Sequence, residues 1–219
     1  IRVGWVTANT LCGENPERFG HLGPVPDMRI SNTAHWINRN SRKIWNEIYD
    51  PSQNYDIVVF VKAMDRACQL ENERVQSAGG KTVFDANVNY YEIWGNYDIE
   101  GTRPTEQQQT DAIAMTSAAD LVIADSTYLQ AIAEKHNSDV RWIPDNVDLE
   151  VFGHSHHREQ TSPIRLVWSG VAKKARPLLG LKEMLTGLKN VELVLVSDTR
   201  PEVTDDLQTT ITCRFVPYT

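Results

Sequence analysis

Short runs rich in Val and Ile recur along this chain with helical patterns between them, and this alternation limits the fold more than any other feature. The runs are "IRVGWVT" at 1 to 7, "YDIVVFVK" at 55 to 62, "KTVFDA" at 81 to 86, "DLVIADS" at 120 to 126 and "VRWIP" at 140 to 144. Near-continuous β-branched residues mean strands buried on both faces, which is how parallel strands read. Helical patterns fill the gaps. Ser31 is placed to cap one helix over "SNTAHWINRNSRKIWNEIY", where Ala34, Ile37, Ile44, Trp45 and Ile48 recur near helical spacing. Thr105, behind Pro104, caps "TEQQQTDAIAMTSAA", and "STYLQAIAEKH" sets Leu129, Ile132 and Ala133 on one face. The expectation is an α/β fold, a Rossmann-like doubly wound parallel sheet.

The stretch "VRWIPDNVDLEVF", Val140 to Phe152, closes that alternation. Pro144 cannot donate to a neighbouring strand, Asp145-Asn146 favours a turn, and Phe152 supplies an apolar anchor. Behind it "GHSHHREQTSP" is polar, aperiodic and ends in proline, which is linker composition. The alternation then restarts with "IRLVWSG", a helix over "PLLGLKEMLTGL", "VELVLVSD" and "TTITCRFVPYT". The expected organisation is a first domain over 1–152, a linker over 153–163 and the beginning of a second Rossmann-like domain over 164–219. Three strands are too few for a sheet wrapped on both faces, so the second domain reads as incomplete. An ordinary strand-to-helix loop inside one domain is the plainer alternative for Val140 to Phe152.

Composition narrows the partners. Lys plus Arg total 22 against 29 Asp plus Glu, a net charge of -7, which argues against nucleic acid as partner because phosphate binding needs a basic face. Cys12, Cys68 and Cys213 are odd in number and far apart, so they suggest neither a disulfide framework nor a zinc site. No apolar run approaches the ~20 residues of a membrane span, and a cytoplasmic location is expected. His154, His156 and His157 fit no standard metal spacing, and no metal is expected. Ser126 lacks the G-x-S-x-G frame of a nucleophile elbow. The six tryptophans read as core rather than sugar platforms.

The block Ser117 to Phe152 resembles the end of the N-terminal domain in retaining glycosyltransferases of the GT-B fold (glycosyl transferases group 1, family 4-like). That family pattern has an alanine-aspartate pair, an apolar strand ending in serine, a helix, a second strand and an "IPNGVD..F" turn. Here the elements read Ala119-Asp120, Leu121 to Ser126, and Ile143-Pro144-Asp145-Asn146-Val147-Asp148 with Phe152. Asn146 replaces the usual glycine, and asparagine also tolerates positive φ. The resemblance implies a two-domain enzyme that moves a hexose from a nucleoside diphosphate sugar to a glycan or lipid-linked acceptor, typically in bacterial surface polysaccharide assembly. It implies no metal and no further cofactor, because the leaving diphosphate is held by cationic side chains and helix-start amides. Peripheral attachment at the inner face of the membrane fits a lipid-linked acceptor and needs only a small basic-apolar patch.

Carried onto this chain, the family's diphosphate loop falls on "WSGVAKKARPLLG". Gly170 matches the family glycine, Val171 stands at the usual arginine, Arg176 is nearest the usual lysine, and Lys173 and Lys174 add charge before Pro177. A solvated basic turn is the alternative. The long loop after the first strand, Ala8 to Arg29, gives Asn9, Gly13 and Arg18 as sugar or acceptor contacts, and the third strand end gives Asp85, Asn87 and Tyr90. Many family members carry a histidine near that third strand end, and none is present here, so no catalytic residue is assigned. The E-x7-E pair of the family's second domain is missing. The expected parent is therefore about half as long again. A non-catalytic sugar-nucleotide or carbohydrate module of the same fold is the competing reading, and a sugar-nucleotide epimerase is a third.

Overall fold

The computed structural model describes residues 1–7, 27–93, 103–145, 153 and 162–218. The chain divides into two compact units, Ile1–His154 and Ser155–Thr219. Asn9, Gly13 and Arg18, the three histidines at 154 to 157, and the turn from Asn146 to Phe152 lie outside the described residues.

Unit 1 carries an all-parallel six-stranded sheet in the order β2-β1-β3-β4-β5-β6. The strands are β1 (Arg2–Val6), β2 (Trp45–Ile48), β3 (Ile57–Val61), β4 (Lys81–Ala86), β5 (Leu121–Ala124) and β6 (Val140–Trp142). Helices α1 (Asn32–Asn40), α2 (Arg66–Ser77), α3 (Glu106–Ala118) and α4 (Thr127–Ala133) connect them, with a π-helical turn at Asp27–Ser31 before α1. Alternate residues of each strand feed two cores. Val6, Val58, Phe60, Phe84 and Val122 face one side, where α2, α3 and α4 bring Val75, Ala112, Met115, Leu129 and Ile132. Val3, Trp5, Val59 and Val61 face the other, against Ile30. Gly4 is required by close approach, since a Cβ there would stand 2.8 Å from the Tyr49 ring and 2.9 Å from Tyr55.

Two helices of unit 1 start on side-chain caps, the first of them expected from the sequence. Thr105 accepts from the Gln108 amide while the Gln108 side chain accepts from the Thr105 amide, a complete capping box. Ser126 accepts from the Leu129 amide at 3.3 Å and starts α4, so its hydroxyl serves the backbone.

The single helix expected over 31 to 49 is corrected to a helix and a strand. Ser31 makes no capping hydrogen bond, α1 stops at Asn40, and Ser41 turns extended with its Oγ accepting from Lys43 and Ile44. Trp45 to Ile48 then pairs with β1. Asn38 fixes this break by accepting from the Asn46 amide at 2.7 Å and donating to its carbonyl at 2.8 Å. The tryptophans are corrected as well: Trp5 is core, but Trp36, Trp45 and Trp142 are 67%, 57% and 53% exposed.

Asp120, of the Ala119-Asp120 pair, ties β5 to the start of β4. Its carboxylate accepts from Lys81 Nζ (2.8 Å), the Thr82 amide (2.9 Å), Thr82 Oγ1 (3.1 Å) and Gln76 Nε2 (3.2 Å). Burial opposes the charge, but these donors outweigh it and hold the carboxyl down at about 2. The folded value lies below the ~3.9 of an unfolded aspartate, so its contribution is fully present above pH ~4 and is lost as pH falls through the folded value. Asp120→Ala is expected to cost roughly 1–3 kcal/mol at neutral pH. Urea titrations of the two proteins are expected to converge as pH falls from about 4 to about 2, and a gap that stays constant over that range would refute the assignment.

Unit 2 is a parallel three-stranded sheet in the order β7-β8-β9, with β7 (Ile164–Ser169), β8 (Val191–Ser197) and β9 (Thr212–Pro217). Its core joins Ala175, Leu185, Leu193, Leu195, Leu207 and Ile211. β7 reads as apolar as the strands of unit 1, yet Ile164 and Val167 are exposed, because among the described residues β7 is an edge strand with β8 as its one neighbour. The helix expected to begin at Pro177 is corrected: a 3-10 helix runs from Ala172 to Leu181 with Pro177 inside it, and α5 is confined to Lys182–Thr186. A proline lacks the amide that an α-helix interior needs. A short α6 (Thr204–Gln208) that sequence reading missed precedes β9.

Candidate functional site

In a sheet ordered 2-1-3-4-5-6 the chain reverses direction between β1 and β3, and ligands of such sheets bind outside the C-terminal strand ends near that reversal. Thr7 follows β1 there and Lys62 follows β3. Lys62 holds φ 55, a left-handed conformation uncommon for a residue with a side chain, and its amide donates to the Asp85 carbonyl at 3.2 Å.

The same edge holds a charged cluster. Asp85 points away from the Phe84 core, and both its oxygens accept from Arg29, Oδ2 from Nε at 2.7 Å and Oδ1 from Nη2 at 2.8 Å. Arg29 is 8% exposed and Asp85 3%, so neither charge could persist unpaired. The remaining Arg29 nitrogen, Nη1, donates to Asp145, whose side chain is 47% exposed. One guanidinium thus joins the turn before α1, the end of β4 and the turn after β6. Burial works against the Arg29 cation, but its bonds to Asp85 and Asp145 outweigh it and raise its pKa. Burial pushes the Asp85 carboxyl up, Arg29 pulls it back, and the charges of Asp145 and Asp125 push it further up.

Beside the cluster, Asn87 Oδ1 and Asn89 Nδ2 are buried without a hydrogen-bond partner. Asn89 Oδ1 accepts from the Tyr91 and Glu92 amides. Tyr90 is half-buried against the larger core, which raises its pKa. The structure therefore brings Asp85, Asn87 and Tyr90 to one sheet edge, with Asp85 committed to Arg29.

In unit 2, Gly170 follows β7. Its carbonyl accepts from Ser197 Oγ at 2.7 Å, and a Cβ on it would stand 2.9 Å from the Trp168 ring. Lys173, Lys174 and Arg176 are exposed on the 3-10 helix, and among the described residues none pairs with a carboxylate. The first amide of that helix, Ala172 N, is already taken by Asp198 Oδ1 at 2.8 Å, and this bond leads the causes that lower the Asp198 pKa. Asp198 occupies the place where a phosphate would meet the helix start.

A cleft of about 490 Å³ lies on the opposite edge of the unit 1 sheet, lined by Tyr55, Asp56, Arg74, Gly79 and Gly80. Arg74 is engaged there by Glu71 and the Tyr49 hydroxyl, and no candidate residue borders the cleft. Among the described residues no cluster of His, Cys, Asp or Glu could hold a metal, and no helix is long and apolar enough to cross a membrane.

No protein-family profile matches the chain, and no curated protein matches it. The site therefore rests on its own geometry. Arg29, Lys62 and Asp198 were missed in the sequence reading, and Asp145 entered it as a turn former within the family-like turn, not as an ion-pair partner. One signal could have found the first: an aspartate inside "TVFDA" must be buried with its strand, and a buried carboxylate demands a cation.

Proposed function

We propose that this chain is part of a GT-B retaining glycosyltransferase that moves a hexose from a nucleoside diphosphate sugar to a glycan or lipid-linked acceptor in bacterial surface polysaccharide assembly. The observation that carries this reading is the six-stranded parallel sheet of unit 1, whose C-terminal edge gathers polar and charged residues at the chain reversal where such sheets take ligands. The Ser117 to Phe152 resemblance supports it from the sequence side.

In this reading Lys173, Lys174 and Arg176 receive the donor diphosphate, whose charge grows as the glycosidic bond breaks. Their lack of carboxylate partners among the described residues favours that role. Asp198 gives way at Ala172 N to a phosphate oxygen. Asn87, whose Oδ1 is buried without a partner, turns that oxygen outward to accept from a sugar hydroxyl, and Tyr90, three residues on, packs against the core. Arg29 and Asp85 hold the edge in shape, and the leaving phosphate itself assists the acceptor. The competing reading, a non-catalytic module of the same fold, draws support from Val171 at the usual arginine and from Asp198 at the helix start.

Calorimetric titration with UDP, GDP and their glucose forms tests the proposal. Saturable binding is expected, weakened roughly 10- to 100-fold by replacing any one of Lys173, Lys174 or Arg176 with alanine, the worth of one charge-assisted hydrogen bond. Binding unaffected by all three replacements would remove the diphosphate assignment. Binding of a nucleotide with no transfer to any acceptor would favour the module.

A further inference from the structure

Among the described residues β2 is an edge strand of the unit 1 sheet, with β1 as its one neighbour. A strand offers its backbone groups to its two sides in alternation. Trp45 and Tyr49 donate inward, to the Ile1 carbonyl at 2.9 Å and the Trp5 carbonyl at 3.0 Å, so the amide and carbonyl of Asn46 point away from β1. Such an outward pair is a template for another strand. Here it is already taken. Asn38 of α1 accepts from the Asn46 amide at 2.7 Å and donates to the Asn46 carbonyl at 2.8 Å, and its Oδ1 also accepts from Asn46 Nδ2 at 3.0 Å. The Asn46 side chain is locked in turn, its Oδ1 accepting from the Trp5 indole at 2.9 Å.

A carboxamide carries the same donor and acceptor as a peptide unit, so the Asn38 side chain stands where the backbone of a further strand would stand. One bond would be enough to pin the helix break at Ser41; the two bonds occupy both groups that strand pairing needs. Natural sheet edges are blunted by proline, lysine or a bulge. Trp45–Ile48 has none of these: its register with β1 is unbroken, its one charge, Glu47, is held by Arg2, and Trp45 is 57% exposed. The strand is otherwise open to a partner, and its geometry selects one. In an antiparallel pair about a twofold axis, a residue on the axis exchanges both its N–H···O bonds with its own counterpart. Two copies meeting at Asn46 would satisfy with each other the same two groups that Asn38 satisfies within one chain.

We propose that Asn38 is an edge guard: its side chain holds the outward groups of Asn46 and so keeps the unit 1 sheet from continuing through β2 into a second copy of this chain. The guard works from within the fold, because α1 delivers the carboxamide from eight positions earlier in the sequence. A second copy must therefore displace an intramolecular contact, formed without loss of translational freedom, before it can pair.

The experiment follows hydrogen exchange of the Asn46 amide by NMR and the mass in solution by light scattering, at about 50 μM and about 1 mM protein. In the unchanged chain the amide is expected to be protected to the same degree at both concentrations. Asn38→Ala opens both outward groups: protection is expected to fall about tenfold or more in dilute solution and to return on concentration as the mass doubles relative to the unchanged chain. Asn38→Asp keeps an acceptor on the Asn46 amide and is expected not to double. An Asn38→Ala protein with native circular dichroism and unchanged mass overturns the proposal, as does association in which the Asn46 amide stays open. Equal association of the Ala and Asp variants also overturns it, since the cause would then be lost stability rather than an opened edge. If Asn38→Ala does not fold, Asn38→Ser, too short to reach Asn46, takes the same readings. An Asn46 amide that exchanges freely in the unchanged chain, or gains protection with concentration there, overturns the guard without any variant.

Discussion

Arg29→Ala is expected to destabilise unit 1 by about 3–5 kcal/mol, the cost of leaving a buried carboxylate without its cation. Asp85 is 3% exposed and both its oxygens accept from Arg29, so removing the guanidinium strips the charge of its partner in a place water does not reach. Urea unfolding, followed by circular dichroism, reads the loss as a fall in midpoint. The double replacement Arg29→Met with Asp85→Leu removes both charges and is expected to recover most of the stability, since a buried pair exchanged for apolar side chains is often neutral. Asp145 then loses its partner too, but it is half exposed and can turn to water. A midpoint unchanged in the single variant would mean that the pair is not formed in solution. A double variant as unstable as the single one would mean that the cost lies in lost packing.

Phe84→Ala is expected to cost about 3–5 kcal/mol by opening a cavity in the larger core. Phe84 is fully buried and is the residue before Asp85, and the alternation of a strand sends the two to opposite faces of the sheet. No charge is orphaned by this change, so the effect should be independent of salt, and refilling the space with Phe84→Leu should return most of the loss. A cost under about 1 kcal/mol would show that Met115 and Val122 close over the space.

The two residues also show which parts of the site could be read before the fold was known. Asp85, Asn87 and Tyr90 were found because a parallel sheet puts function at strand ends, a rule that needs only strand boundaries. Arg29 was hidden because it lies 56 positions from Asp85 and because a loop arginine reads as solvated surface. The Ala119-Asp120 pair and Ser126 were legible as a pattern, but not as the clamp on β4 and the cap of α4 that they are. A motif names residues without saying which of them hold the frame. Asp198 escaped for a similar reason: nothing local ties it to an amide 26 positions away.

What the sequence determined by itself is five of the six parallel strands of unit 1. Val and Ile runs of strand length, separated by capped helical segments, bury two apolar faces only in a layered α/β arrangement, and Thr105 with Gln108 fixes the start of α3 through bonds among neighbours in the chain. The tertiary structure decided the rest where local signals conflicted or were silent. "WNEI" carries residues at helical spacing, yet pairing with β1 and the Asn38 bonds to Asn46 made it a strand. "IRLVWS" and "IVVFV" are alike in composition, but β3 lies between two strands and two cores while β7, among the described residues, borders one strand, so one is buried and the other exposed. Trp142 is open for a related reason: it ends an edge strand, and burial is a property of what surrounds a residue rather than of the residue.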